Sequence, residues 1–172
     1  WYEGQVPLWW CPDPRFVLFP EKTRISKSMQ QLLKKEAFRF TVDTSFSSVI
    51  RACKTSSRMD QQGTWISDEV EAAYSLLHES GYAHSAEAWA GDRLAGGLYG
   101  VKMGKVFFGE SMFSHISNAS KFAFIRYVQL MQQEGIELID CQVYTPHLES
   151  LGAEMIPREA FMEQLKKLLP PQ

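Results

Sequence analysis

The sequence predicts an α+β domain built on a mixed sheet flanked by helices. Three observations carry that expectation. Apolar residues alternate at Phe38, Phe40 and Val42, and three further strand-like segments follow at 84–92, 93–104 and 105–114. Glycines in Ala90-Gly91-Asp92 and Lys102-Met103-Gly104 supply the turns that would fold those three segments into a meander. Apolar stripes at helical spacing lie on both sides of the meander, with Val70, Ala73, Tyr74 and Leu77 before it and Phe122, Ile125, Val128 and Met131 after it.

Each element has a local cause. The opening WYEGQVPLWWCPDPR is rich in Trp and Pro and reads as a loop. RFVLFP is a short strand stopped by Pro20. Ser26 caps a helix carrying Met29, Leu32 and Leu33, and a second helix shows Phe46, Val49, Ile50 and Cys53. KTSSRMDQQG is a polar loop. Ser67 caps the next helix, Asp68 and Glu69 complement its dipole, and Gly81 ends it. Asn118 or Ser117 caps a long helix that closes at Gly135. The strand IELIDCQV follows, then a short helix at Thr145-Pro146 and a last helix from Pro157 with Phe161, Leu165 and Leu168 inward.

Composition narrows the function classes. The 172 residues are 45% hydrophobic and 22% charged, which suits one main folded domain. No apolar run reaches the roughly 18 residues a membrane helix needs. Cys11, Cys53 and Cys141 form no C-x-x-C pair, so neither zinc nor a disulfide framework is expected, and a reducing cytoplasm is. His78, His84, His115 and His147 match no metal spacing and read as surface or satisfied core residues. The first 60 residues hold ten Lys/Arg against six Asp/Glu, and the remainder eight against fourteen. The basic set from Arg15 to Arg39 is the candidate for phosphate contacts, and the acidic half for a cationic partner.

The segment LIDCQ ends an apolar strand with an acid and an amide. Strand alternation places Asp140 and Gln142 on one face, with Cys141 on the other. The element order resembles the acetyltransferase-like (GNAT-like) fold. Such enzymes hold the pyrophosphate of coenzyme A in a [QR]-x-x-G-x-[GA] loop before a helix. Here that position reads GESMFSHISNASK, without the second glycine and with an acid at Glu110, so acetyl-coenzyme A chemistry is disfavoured.

Eight stretches occur in order along the chain: WWCPDPR, GTWI, AHSAEAW, LAGGLYGV, FFGESMFS, NASK, LIDCQ and HLESLGAE. Together they resemble the bacterial leucyl/phenylalanyl-tRNA–protein transferase family. The resemblance implies transfer of Leu, Phe or Met from aminoacyl-tRNA to the N-terminal Arg or Lys of an acceptor protein. That would mark the acceptor for degradation by the N-end rule pathway. It also implies a small N-terminal domain before the Trp-rich stretch. Residues 1–14 are read as the Trp/Pro-rich remnant of that domain, and 15–172 as the GNAT-like aminoacyltransferase domain.

The same resemblance assigns the site. Gln142 would meet the attacking amine, with Asp140 orienting it. Trp1 and Trp65 would stack on the terminal adenosine, since every base offers a π-face. Leu98, Phe107, Met112, Phe124, Tyr127 and Ile139 would wall the aminoacyl side-chain pocket, and Glu110 would bind the acceptor's cation. Aminolysis of an already activated ester calls for no cofactor and no metal. The alternatives are a coenzyme-A-dependent N-acetyltransferase on the same fold and a noncatalytic module binding aminoacyl-tRNA or protein N-termini.

Overall fold

A computed structural model describes residues 10–56 and 64–170. Seven strands form one mixed sheet: β1 (Arg15–Leu18), β2 (Arg39–Val42), β3 (Ala83–Ala90), β4 (Arg93–Met103), β5 (Val106–Ser114), β6 (Leu138–Gln142) and β7 (Glu154–Ile156). Their spatial order is β2-β3-β4-β5-β6-β1-β7. The helices are α1 (Lys27–Lys34), α2 (Phe46–Thr55), α3 (Asp68–Glu79), α4 (Ala119–Gln133), α5 (Pro146–Glu149) and α6 (Arg158–Leu168).

The meander is present as read, and glycines with φ of 60° and 54° at Gly91 and Gly104 close its turns. Ser26, Ser67 and Thr145 cap α1, α3 and α5, each hydroxyl accepting a backbone N–H at 3.2–3.3 Å. Gly81 and Gly135 stand beyond the ends of α3 and α4 at φ 78° and 83°. The start of α4 differs from expectation. Asn118 is left-handed, with φ 67° and no side-chain cap. Ser114 fills the role instead, its hydroxyl accepting the Ser120 N–H at 3.2 Å. That frees Asn118 to make the sharp entry that a short polar side chain tolerates.

Two features were not anticipated. The first is β7, only three residues long, which carries no alternation to read. The second is the placement of β1 between β6 and β7, antiparallel to both.

Both faces of the sheet are covered. On one face α1 and α4 pack over Phe16, Leu18, Leu98, Phe107 and Ile139. On the other, α2 and α3 cover Ala83, Tyr99 and Phe113, while Phe161 and Leu168 of α6 cover Val17, Val106 and Leu138. The glycines of LAGGLYG have a packing cause. A Cβ on Gly96 would stand 2.7 Å from Ser120 N and 2.8 Å from the Ala119 Cβ, so glycine lets the start of α4 lie on β4.

β5 and β6 are the sheet's parallel pair, joined through α4 as a parallel connection requires. They pair over only Val106–Phe108 and Leu138–Asp140. Beyond Phe108 the two strands no longer pair, and the candidate site occupies that gap.

Candidate active site

The gap between β5 and β6 opens into a cavity of about 530 Å³. Leu98, Met112, Phe124 and Ile139 form its apolar lining, while Trp65, Glu110, Gln142, Thr145 and His147 bring polar or aromatic edges to it. Phe107 and Tyr127 are buried behind that lining. Their rings meet edge-on at 5.3 Å and support the wall from the core without lining the cavity. Trp1 lies outside the described residues, so Trp65 is the aromatic of the expected adenosine pair that can be placed.

Two β-bulges shape the site. On β5, Tyr99 faces Ser111 and Gly100 faces Gly109, so Glu110 has no partner across the ladder. The slip reverses the alternation. Phe107 and Met112 both join the α4 side although five residues separate them. On β6, Phe16 pairs with Gln142 and Val17 with Asp140, leaving Cys141 as the extra residue. Gln142 then turns left-handed at φ 65°.

Regular alternation therefore stops before Gln142, and a bulge and turn set its direction. Its amide Nε2 donates to the Gly109 carbonyl at 3.0 Å and reaches Glu110 Oε2 at 3.4 Å. Those contacts fix the amide, with Oε1 as its accepting end.

Asp140 is fully buried. Arg15 holds it bidentately, Nε to Oδ1 at 2.9 Å and Nη2 to Oδ2 at 2.7 Å. Oδ1 also accepts the Gln142 backbone N–H at 2.9 Å. Charge-assisted forked bonds of this kind are strong and directional. A carboxylate engaged in this way anchors the turn that presents Gln142. The Arg15 guanidinium lies 5.1 Å from the Phe161 ring centroid, which fixes it from behind. Arg15 thus leaves the basic set read as phosphate contacts. Lys22 is also committed, pairing with Glu154 at 2.7 Å.

Glu110 sits between Gln142 and the Tyr74 hydroxyl, with which it is hydrogen-bonded. Burial pushes its pKa up; the bonds from Tyr74 and Gln142 oppose the rise, the Asp140 charge adds to it, and Arg15 offsets part. Burial likewise raises Tyr74, with Glu110 adding. Burial and then Asp140 push the Cys141 thiol up to about 12, which leaves it an inert apolar neighbour.

Three site residues escaped the sequence. Tyr74 reads as one member of an apolar helix stripe. Arg15 reads as one basic residue among several. His147 reads as an ordinary histidine, yet it lines the cavity. For Tyr74 the available signal was a hydroxyl within an otherwise apolar stripe.

A seven-stranded mixed sheet with this site has relatives. A solved structure, a conserved protein of unknown function from Bacteroides thetaiotaomicron, superposes with a TM-score of 0.51. It is 16% identical and covers 76% of this chain and 50% of its own, so the likeness is one of fold. Residues 17–166 match the leucyl/phenylalanyl-tRNA protein transferase family. A leucyl/phenylalanyl-tRNA–protein transferase of Syntrophus aciditrophicus is 55% identical over 170 residues, 98% of this chain and 71% of that protein. Those of Christiangramia forsetii and Nitrosospira multiformis are 55% and 52% identical, with 79% and 73% of their lengths covered. With that identity sustained across almost the whole chain, it belongs to the leucyl/phenylalanyl-tRNA protein transferase family.

Proposed function

We propose that this chain transfers Leu, Phe or Met from aminoacyl-tRNA to the N-terminal Arg or Lys of an acceptor protein, and that it does so at the cavity between β5 and β6. The observation that carries the site assignment is the meeting of the Gln142 amide and the Glu110 carboxyl, 3.4 Å apart, at a cavity lined by Leu98, Met112, Phe124 and Ile139. An apolar side chain without a branch at Cβ suits that lining, where Met112 is an adaptable wall. Trp65 stacks on the terminal adenosine, the role that the family resemblance also gives Trp1. Glu110 attracts the acceptor's cation.

In this reading the acceptor amine, as the neutral base, attacks the ester carbonyl. A C–N bond forms, the carbon's bond to the ribose 3′-oxygen breaks, and the amine's proton passes to that oxygen. The neighbouring 2′-hydroxyl of the terminal adenosine relays the proton. Gln142 Oε1 accepts a hydrogen bond from the amine and holds it near the carbonyl. Asp140 is a positioning residue, because its oxygens are engaged by Arg15 and by the Gln142 N–H. The early parting of β5 and β6, joined through α4, supports a GNAT-like reading of the sheet. Cys11, Cys53 and Cys141 form no disulfide, which fits a cytoplasmic site of action, and no helix among the described residues is long and apolar enough to cross a membrane.

The test is transfer of labelled Phe from tRNA to peptides that differ only in an N-terminal Arg or Ala. Label is expected on the Arg peptide alone. Gln142→Ala should lower that transfer about a hundredfold, the scale of a misplaced reacting group, while charged-tRNA binding persists. An unchanged rate would remove Gln142 from the chemistry. Label on neither peptide would count against the transferase reading of this chain.

A further inference from the structure

Of the described residues that line the cavity, Val143 alone is mostly exposed, at 58%, so it stands at the mouth. A single exposed valine is ordinary on a protein surface. What sets this one apart is how it is held. Its backbone N–H donates to the Cys141 carbonyl at 2.8 Å, closing a three-residue turn on Gln142, whose φ is 65°. Tyr144 anchors the chain on the other side. The Tyr144 ring lies 5.5 Å from that of Phe16, and its hydroxyl donates to Glu149 Oε2 at 2.7 Å. Val143 is therefore fixed between two anchored residues and does not fold back onto the core. An apolar side chain is kept in water one residue after the amide that meets the attacking amine.

In the transferase reading, the acceptor's first residue is held at two points. Its amine meets Gln142 Oε1. Its cationic side chain meets Glu110, whose carboxyl lies 3.4 Å from the same amide group. The α-carbon then carries one further heavy substituent, the carbonyl that leads to the second residue. That carbonyl has no way inward, where Leu98, Phe124 and Ile139 are buried and the aminoacyl side chain is seated. The adenosine takes the side of Trp65, which packs with the cluster of α2 and α3. The open direction is the mouth, and there the departing chain passes Val143.

We infer that Val143 is a specificity residue that packs against the side chain of the acceptor's second residue, so that an apolar residue is favoured at that position. The inference rests on the transferase reading of the cavity and extends acceptor recognition from one residue to two. An apolar partner removes both side chains from water. A polar partner of the same shape loses hydration there and gains no hydrogen bond from valine.

Two peptides test it. They begin Arg-Leu and Arg-Asn, a pair of similar shape, and are otherwise identical. Both compete in one reaction for labelled Phe carried by tRNA, with the full chain as enzyme. The ratio of labelled products is then the ratio of kcat/KM, and the amount of active protein cancels. The wild type should prefer Arg-Leu about tenfold, the scale on which an apolar contact discriminates. Val143→Ser removes the methyl groups, and the preference should fall towards unity. Val143→Ile keeps an apolar side chain and should keep the preference. A valine that merely supported the turn would change both rates together and leave the ratio alone. No preference in the wild type, or the same preference in Val143→Ser, overturns the role of Val143 and leaves the transferase reading standing. Label on neither peptide with the wild type overturns that reading and this inference with it.

Discussion

Glu110 is a carboxyl with little access to water, and that sets a pH dependence. Burial raises its pKa, so the folded chain holds the proton more tightly than the unfolded chain does. Its contribution to stability is full below the unfolded value near 4.5 and is lost as pH rises through the folded value. Glu110→Gln keeps the shape without the charge. It should melt higher than the wild type at pH 8, with the two curves converging towards pH 4. A variant less stable at pH 8 would show that the Tyr74 and Gln142 bonds outweigh burial. The residue types at the site were legible in LIDCQ and GESMF. Their partners were not, because the Arg15–Asp140 bond joins residues 125 apart in the chain. Nothing local distinguishes Arg15 from its basic neighbours.

The elements that hold the site are bulged strands, and a bulge leaves little trace in a hydrophobic pattern. Period-two reading assigns Phe107 and Met112 to opposite faces, whereas the extra residue Glu110 returns them to one. The same device re-aims Gln142. Strands and helices with strong periodicity, such as those of the meander and α4, were readable, and the site lies where that periodicity fails. Gly100 stands opposite the β5 bulge. A Cβ there would collide with the Phe108 carbonyl oxygen and the Phe107 ring. Backbone on one side cannot yield as a flexible side chain does, so Gly100→Ala should cost about 1–3 kcal/mol, the usual penalty of overpacking. A melt in urea checks it. Transfer should fall as well, since the displaced strand carries Glu110.

At the scale of the whole molecule, β1 is the piece that joins what the meander cannot. It lies between β6 and β7 and buries Phe16, Val17 and Leu18 on both faces of the sheet. Without it, β6 becomes an edge strand, β7 loses its partner, and α6 loses Val17 beneath it. A chain starting at residue 19 is expected to show no cooperative thermal transition by circular dichroism. Retention of one would mean that β1 decorates a sheet already complete. The position of β1 was beyond the sequence reading because a four-residue apolar strand fits several places in a sheet, and long-range pairing selects among them.

The Arg15–Asp140 bond also has a consequence in time. A ribosome making about 5–20 residues per second leaves Arg15 without its partner for roughly 6–25 s. Gln142 follows Asp140 by two residues, so the turn and its anchor emerge together, late in synthesis, onto an Arg15 made long before.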